Sequence, residues 1–248
     1  MKTDVLPGPM ATGLASAQAA SAETAPAVVR VVTASRVDAA AFGATPLCRS
    51  LARAVVDLGV ELHATCDNRE GLPAVYNRQI QAANREQILV FAHDDVWLDD
   101  LHFAARVRQA LQRFDVVGVA GNRRRRPGAD TWAFGEDGEP DRGWLSGSIG
   151  HGPQPLGEVS LYGPAPAEVE LLDGVLLAAR CSRLLDAGVR FDERFGFHFY
   201  DLDFCRVARQ AGLRLGTLAL AITHASVGAF GSAGWLDGRA RYRDKWGN

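Results

Sequence analysis

The sequence predicts an α/β protein, a mostly parallel sheet flanked by helices and folded as a single domain. Three observations carry that reading. Short β-branched runs that end in small or acidic residues alternate with amphipathic stretches from Val28 to residue 121. The links between them are short, as in chains that feed one sheet from both faces. An apolar fraction of 47% against 23% charged lets 248 residues bury a real core.

The elements follow in order. Residues 1–27 are rich in Ala, Ser, Thr, Gly and Pro without periodicity, and they read as a disordered leader. VVRVVTAS from Val28 is a buried strand. TPLCRSLARAVVDLG is a helix with Leu47, Leu51, Val55 and Leu58 at helical spacing and Gly59 as its stop. VELHATCDN is a second strand and LPAVYNRQIQAANREQ a second helix. ILVFAHDD is a third strand that ends abruptly in carboxylates. LDDLHFAARVRQALQRF is a third helix, and DVVGVAG a fourth strand.

The rhythm then breaks. Residues 122–168 hold many Gly and Pro, the run Arg123 to Arg126, and Trp132, Trp144 and Tyr162. The stretch is too long for an ordinary connection and reads as a functional insertion with short strands of its own. VELLDGVLLAARC is a strand, CSRLLDAG a short helix capped by Ser182, and FYDLDFCRVARQAG a longer helix. LRLGTLALAITHAS is one extended apolar segment with His224 at its tip, and SAGWLDGRARYRDKW a final helix.

Charge and cysteine usage remove several function classes. Twenty-seven basic and 29 acidic residues leave a net charge of −2, so nothing draws the whole chain to nucleic acid or anionic lipid. No apolar run approaches the ~20 residues of a membrane span. Cys48, Cys66, Cys181 and Cys205 form no CxxC pair, which speaks against structural zinc and a disulfide framework. A cytoplasmic location is the expectation.

Ligands on an open α/β sheet bind beyond the carboxyl ends of the strands. The polar residues there are Thr33 to Ser35, Asp67 and Asn68, His93 to Asp95, Asp173, and His224. Adjacent Asp94 and Asp95 repel unless they face water or a cation, and a divalent metal touching phosphate would suit them. An acidic helix N-terminus explains the same pair equally well. Asp201 lies in line with Cys205 and Ala208 on the apolar stripe of its helix, so it faces inward as a general base or a buried cap. Asp203 points elsewhere, toward Arg206 or Arg209. His224 could complete a carboxylate metal site or sit satisfied in the core.

Read in order, TAS, CDN, YNRQIQAA, FAHDDVWL, LLDGVLLAAR, FDERFGFHFYDLDFCRVARQAG and ITHAS resemble the family-2 glycosyltransferases of the GT-A (Rossmann-like) fold. They look closest to the bacterial branch whose metal motif reads His-x-Asp-Val. The resemblance spans 28–248. It implies a nucleotide-binding half at 28–121, an acceptor region at 122–168, and a catalytic and acceptor half with the C-terminal tail at 169–248.

The resemblance also implies site roles. Thr33, Ala34 and Ser35 fall at the nucleotide-sugar site, Asp67 reads the base, and Asn77 and Arg78 line the nucleotide pocket. Asp95 takes the metal-ligating acid, with Asp94 in the middle position and His93 where the first acid usually stands. His93 would bond ribose or phosphate, or ligate the metal weakly. Asp173 and Gly174 resemble the turn beside the transferred sugar. Asp201 matches the catalytic base, with Tyr200 where Glu usually precedes it, and His224 joins the metal site.

The implied activity is an inverting, hexosyltransferase-type enzyme using Mn²⁺ or Mg²⁺. It would move a sugar from a nucleoside-diphosphate sugar, UDP-sugar favoured, to a hydroxyl of a saccharide, lipid-linked glycan or small molecule. Two other readings stay open: a nucleotidyltransferase of related fold, and a non-catalytic nucleotide- or carbohydrate-binding module. The first strand lacks the Gly-rich loop of the former, and the latter has no need of a base. Arg123 to Arg126 read either as an anion clamp or as a solvated loop. Arg239, Arg241 and Lys245 could close over phosphates, and Trp144 and Trp235 could stack on a sugar.

Overall fold

The computed structural model describes residues 26–53, 59–226 and 228–247. The leader expected at 1–27 lies outside these except for its last two residues, as do Val55 and Leu58 of the expected first helix.

The first half runs β1 (Val29–Ala34), α1 (Ala39–Phe42), α2 (Pro46–Arg53), β2 (Val60–Thr65), α3 (Leu72–Ala82), β3 (Ile88–Ala92), β4 (Val96–Leu98), α4 (Phe103–Ala110), β5 (Val116–Gly118) and β6 (Ala120–Asn122). The second runs β7 (Leu145–His151), β8 (Glu158–Gly163), β9 (Glu168–Val169), β10 (Leu171–Leu172), β11 (Leu176–Arg180), α5 (Cys181–Asp186), α6 (Tyr200–Gln210), β12 (Leu215–Thr217), β13 (Ile222–His224) and α7 (Ala233–Trp246).

The α/β class and the single helix-flanked domain are as expected, but the sheet is mixed. A seven-stranded sheet has the order β2-β1-β3-β11-β5-β12-β9. In it β1 pairs parallel with β2 and β3, whereas β11 runs antiparallel between β3 and β5. A second sheet, β10-β6-β7-β13-β4 with β8 on β7, is largely antiparallel. Segments that read as single strands are therefore each shared between two sheets: DVVGVAG supplies β5 and β6, and LRLGTLALAITHAS supplies β12 and β13. VELLDGVLLAARC breaks at Glu170 and again at Asp173, giving β9, β10 and β11.

Strand periodicity builds two cores, one on each face of the large sheet. Val32, Leu89, Phe91 and Leu177 face Tyr76, Ile80 and Phe204 of α3 and α6. Their neighbours Val31, Ile88, Val90 and Leu176 face Phe103 and Val107 of α4. All five residues of β3 are buried, which is why its sequence is an uninterrupted apolar run. Each such side chain stabilises the fold by roughly 1.5–3 kcal/mol.

Two local expectations change. Arg180, not Ser182, holds the N-cap position of α5, and the Ser182 N–H donates to the Arg85 carbonyl. The insertion does have strands of its own, the β7–β8 hairpin.

Candidate functional site

Strand pairing brings three distant segments to one edge of the large sheet. β11 runs against β3 with Leu176 opposite Ala92, so the turn 173–175 lies beside the turn 93–95, and His93 N–H donates to Val175 O at 3.2 Å. β13 runs against β4 with His224 opposite Val96, which sets the imidazole next to Asp95. Helix α6 starts abruptly after Phe199, held at φ 66°, and presents Tyr200 and Asp201 to the same turn. A cavity of about 560 Å³ opens there.

One candidate ligand atom from each of His93, Asp95 and His224 lies within 4.8 Å of the other two. His224 Nε2 is 3.3 Å and His93 Nδ1 4.0 Å from Asp95 Oδ1. That oxygen is buried and has no hydrogen-bond partner of good geometry, which leaves it free to accept another donor or a cation. Burial would raise the Asp95 carboxyl, but the close polar contact with His224 and its charge outweigh it and hold its pKa at about 2. Burial opposes a charged His224, yet Asp95 raises its pKa above the ordinary value. Burial pushes His93 down despite the pull of Asp95, so His93 is neutral. A borderline nitrogen-and-oxygen donor set of this kind suits Mn²⁺ or another first-row divalent ion, and the residues fit it.

Asp201 lies on the cavity wall. Its Oδ2 accepts the Gly174 N–H at 3.0 Å, while the Tyr200 hydroxyl donates to Gly174 O at 2.7 Å. Gly174 fills this position because a Cβ would stand 2.6 Å from the Tyr200 oxygen and 2.9 Å from the Asp201 Cβ. Burial, then the charge of Asp173, push the Asp201 pKa up to about 7 against its N–H donors. A carboxylate with that pKa is placed to take a proton near neutrality. Asp173 is held by the Trp132 indole N–H at 2.7 Å and the Val175 N–H at 2.8 Å.

The other expected residues divide. Ala34, His93, Asp94, Asp173 and Gly174 line the cavity together with Asp95, Asp201 and His224. Ser35 is buried and its hydroxyl donates to Asp94, so it braces the turn, and buried Thr33 has an unpartnered hydroxyl. Asp67 is exposed at φ 50° at the end of β2, outside the cavity lining. Asn77 and Arg78 do not line the cavity. The Asn77 amide donates to Phe191 O and Glu193 and accepts from Phe191 N–H, tying α3 to the segment before α6, and Arg78 pairs with Glu70.

Most of these basic groups already have partners within the chain. Arg124 forks onto Asp141, Arg123 donates to Gly143 O, and both guanidiniums lie over the Trp144 ring. Arg239 and Arg243 pair with Asp130, Arg241 with Asp237, and Lys245 with Asp192 and Asp203. Asp203 therefore meets Lys245 and the Trp246 indole, not Arg206 or Arg209. Trp235 does reach the cavity, and Trp144 does not.

Sequence reading named Trp132, Tyr162 and Trp235 one by one but not the aromatic wall they form together. Trp132, Phe134, Tyr162, Phe197 and Phe230 join Trp235 around the cavity. Their only advance signal was aromatic residues in stretches without periodicity. No Lys or Arg lines the cavity among the described residues.

No protein-family model matches the sequence, and no curated protein matches it. Solved structures do. The chain is similar to GalNAc-T7, solved with UDP, GalNAc and Mn²⁺, at a TM-score of 0.56 and 12% identity over 90% of this chain and 49% of that one. It is also similar to the mannosyltransferase PcManGT from Pyrobaculum calidifontis, solved with GDP-Man and Mn²⁺ (TM-score 0.48, 14% identity, 86% of this chain, 60% of that one). TarS from S. aureus gives a TM-score of 0.45 at 14% identity over 80% of this chain and 60% of that one. The likeness to GalNAc-T7 gives the fold. It is the GT-A fold of glycosyltransferases. The chain spans about half the length of GalNAc-T7.

Proposed function

We propose that this chain is a metal-dependent glycosyltransferase that moves a sugar, with inversion, from a nucleoside-diphosphate sugar to an acceptor hydroxyl. The observation that carries the reading is the shared cavity: a His93–Asp95–His224 cation site and a carboxylate of pKa about 7, Asp201, open into one space. A Mn²⁺ ion, when bound, would neutralise the negative charge that develops on the departing diphosphate.

The chain's own residues do the rest. Asp201 takes the acceptor proton, and the Gly174 N–H holds its carboxylate in place. Attack from the face opposite the diphosphate inverts the anomeric centre in one displacement. Asp95 and His224, already paired, would hold the cation, with His93 as the third donor in place of the usual first acid. The family-2 resemblance and its His-x-Asp-Val motif support this assignment. GalNAc-T7, solved with UDP, makes a uridine donor the favoured one to try.

Residues 122–168 supply the acceptor wall, which is supported by Trp132, Phe134 and Tyr162 on the cavity surface. The aromatic rings and the absence of Lys and Arg from the described lining residues favour an uncharged acceptor with an apolar face over a phosphorylated or acidic one. Thermal-shift measurements with UDP, GDP, dTDP and CMP, each with and without Mn²⁺, test the donor half. Stabilisation by one nucleotide only when Mn²⁺ is present is expected, and no stabilisation by any would overturn the reading.

A further inference from the structure

The two places where the chain departs from the pattern it resembles, His93 for an acid and Tyr200 for Glu, touch in the structure. His93 Nε2 lies 3.1 Å from the Tyr200 hydroxyl oxygen. The proton positions follow from what the neighbours can offer. Gly174 O is 2.7 Å from the same hydroxyl, and a carbonyl only accepts, so the phenolic proton points there. Toward His93 the hydroxyl then shows only lone pairs. Nε2 must carry the ring proton, and in a neutral imidazole this leaves Nδ1 as the lone-pair nitrogen. Nδ1 is the atom that faces Asp95 Oδ1.

We propose that Tyr200 is a positioning residue that locks His93 in the Nε2–H tautomer and so presents Nδ1 as the third donor of the cation site. The inference rests on the metal-dependent reading above. Other contacts fix the ring without competing for its proton. Phe197 stacks on His93 with centroids 5.5 Å apart at 30°. The buried Tyr76 hydroxyl also interacts with that of Tyr200, but a phenolic proton turned toward it instead of Gly174 O still leaves only lone pairs for His93. One residue serves two ends, since Gly174 O anchors the lock while Gly174 N–H holds Asp201. Outer partners of this kind are worth about 10–100-fold in metal affinity, because they set which nitrogen is basic.

The test uses the full chain labelled with ¹⁵N-histidine, metal-free at pH 8, with the His93 signals assigned by their loss in His93→Gln. The wild type should show a protonated Nε2 and a bare Nδ1. Tyr200→Phe, which removes only the hydroxyl, should give a tautomer mixture, and calorimetric Mn²⁺ affinity should fall about 10–100-fold. A wild type protonated at Nδ1 would overturn the proposal even if Tyr200→Phe failed to fold. So would a folded Tyr200→Phe with unchanged tautomer and unchanged Mn²⁺ affinity. A wild type that binds no Mn²⁺ would instead sink the metal-dependent reading, while the NMR result decides the lock separately.

Discussion

Lys245 places its ammonium 2.7 Å from the carboxylate of Asp203, which has no solvent exposure at all. The same nitrogen reaches Asp192 at 2.8 Å, and the Trp246 indole N–H donates to Asp203. Burial pushes the Asp203 carboxyl up, and Lys245 pulls it back without cancelling the effect. The pair clamps α7 onto α6 two residues beyond Asp201, so these tail residues are spent holding helix to helix.

Lys245→Met should leave a buried acid without its cation. Unfolding free energy should drop by about 3–5 kcal/mol, toward the lower figure because Lys245 keeps some contact with water. Adding Asp203→Asn should recover part of the loss. Urea titrations of the three proteins measure both changes, and an unchanged midpoint for Lys245→Met would contradict the clamp.

Asp201→Asn should cut transfer by ~10²–10⁴-fold while leaving nucleotide binding intact. Its effect on stability should have the opposite sign. A carboxyl raised to about 7 in the folded chain and ordinary in the unfolded one binds its proton more tightly when folded. Its contribution is therefore fully present below the unfolded value and lost as pH rises through about 7. The Asn variant should melt higher than wild type at pH 8, with the gap shrinking toward pH 5. Wild-type kcat should fall as pH drops below about 7.

Gly174→Ala would push a methyl into the Tyr200 hydroxyl and Asp201. A cost of about 1–3 kcal/mol is expected, with lower kcat because the base is displaced. Thermal melts and initial rates on the same preparation check both, and a variant with wild-type values would show that the turn has slack.

The acceptor wall predicts selectivity. With a working donor and Mn²⁺, neutral glycosides should be glycosylated at least about tenfold faster than their phosphorylated counterparts, since the described residues that line the cavity include carboxylates but no Lys or Arg. Equal rates would place the acceptor elsewhere.

What sequence showed and what it hid follow from the range of the interactions. ILVFAHDD announced both β3 and the acidic turn at its carboxyl end because five buried residues meet carboxylates at one point. His224 at the end of an apolar run and Asp201 on the apolar stripe of its helix were legible for the same local reason. The antiparallel β11 was not, because its direction depends on a reversal at Asp173 and on partners about 60 to 90 positions away. Strands of three residues such as β4 and β6 carry too few side chains for a period to show. Asn77 reads as a pocket residue until its partners at Phe191 and Glu193, well over a hundred positions on, are known. The tail arginines mislead likewise, since Asp130 lies in the aperiodic insertion.

The most direct test of the account is calorimetric titration of UDP into the wild type and Asp95→Asn, each with Mn²⁺ and with EDTA. The account predicts binding by the wild type with Mn²⁺ alone. Loss on EDTA treatment or in Asp95→Asn should exceed the about 10–100-fold that removing an outer partner costs. UDP binding of equal strength in all four arms would contradict a cation held at His93, Asp95 and His224.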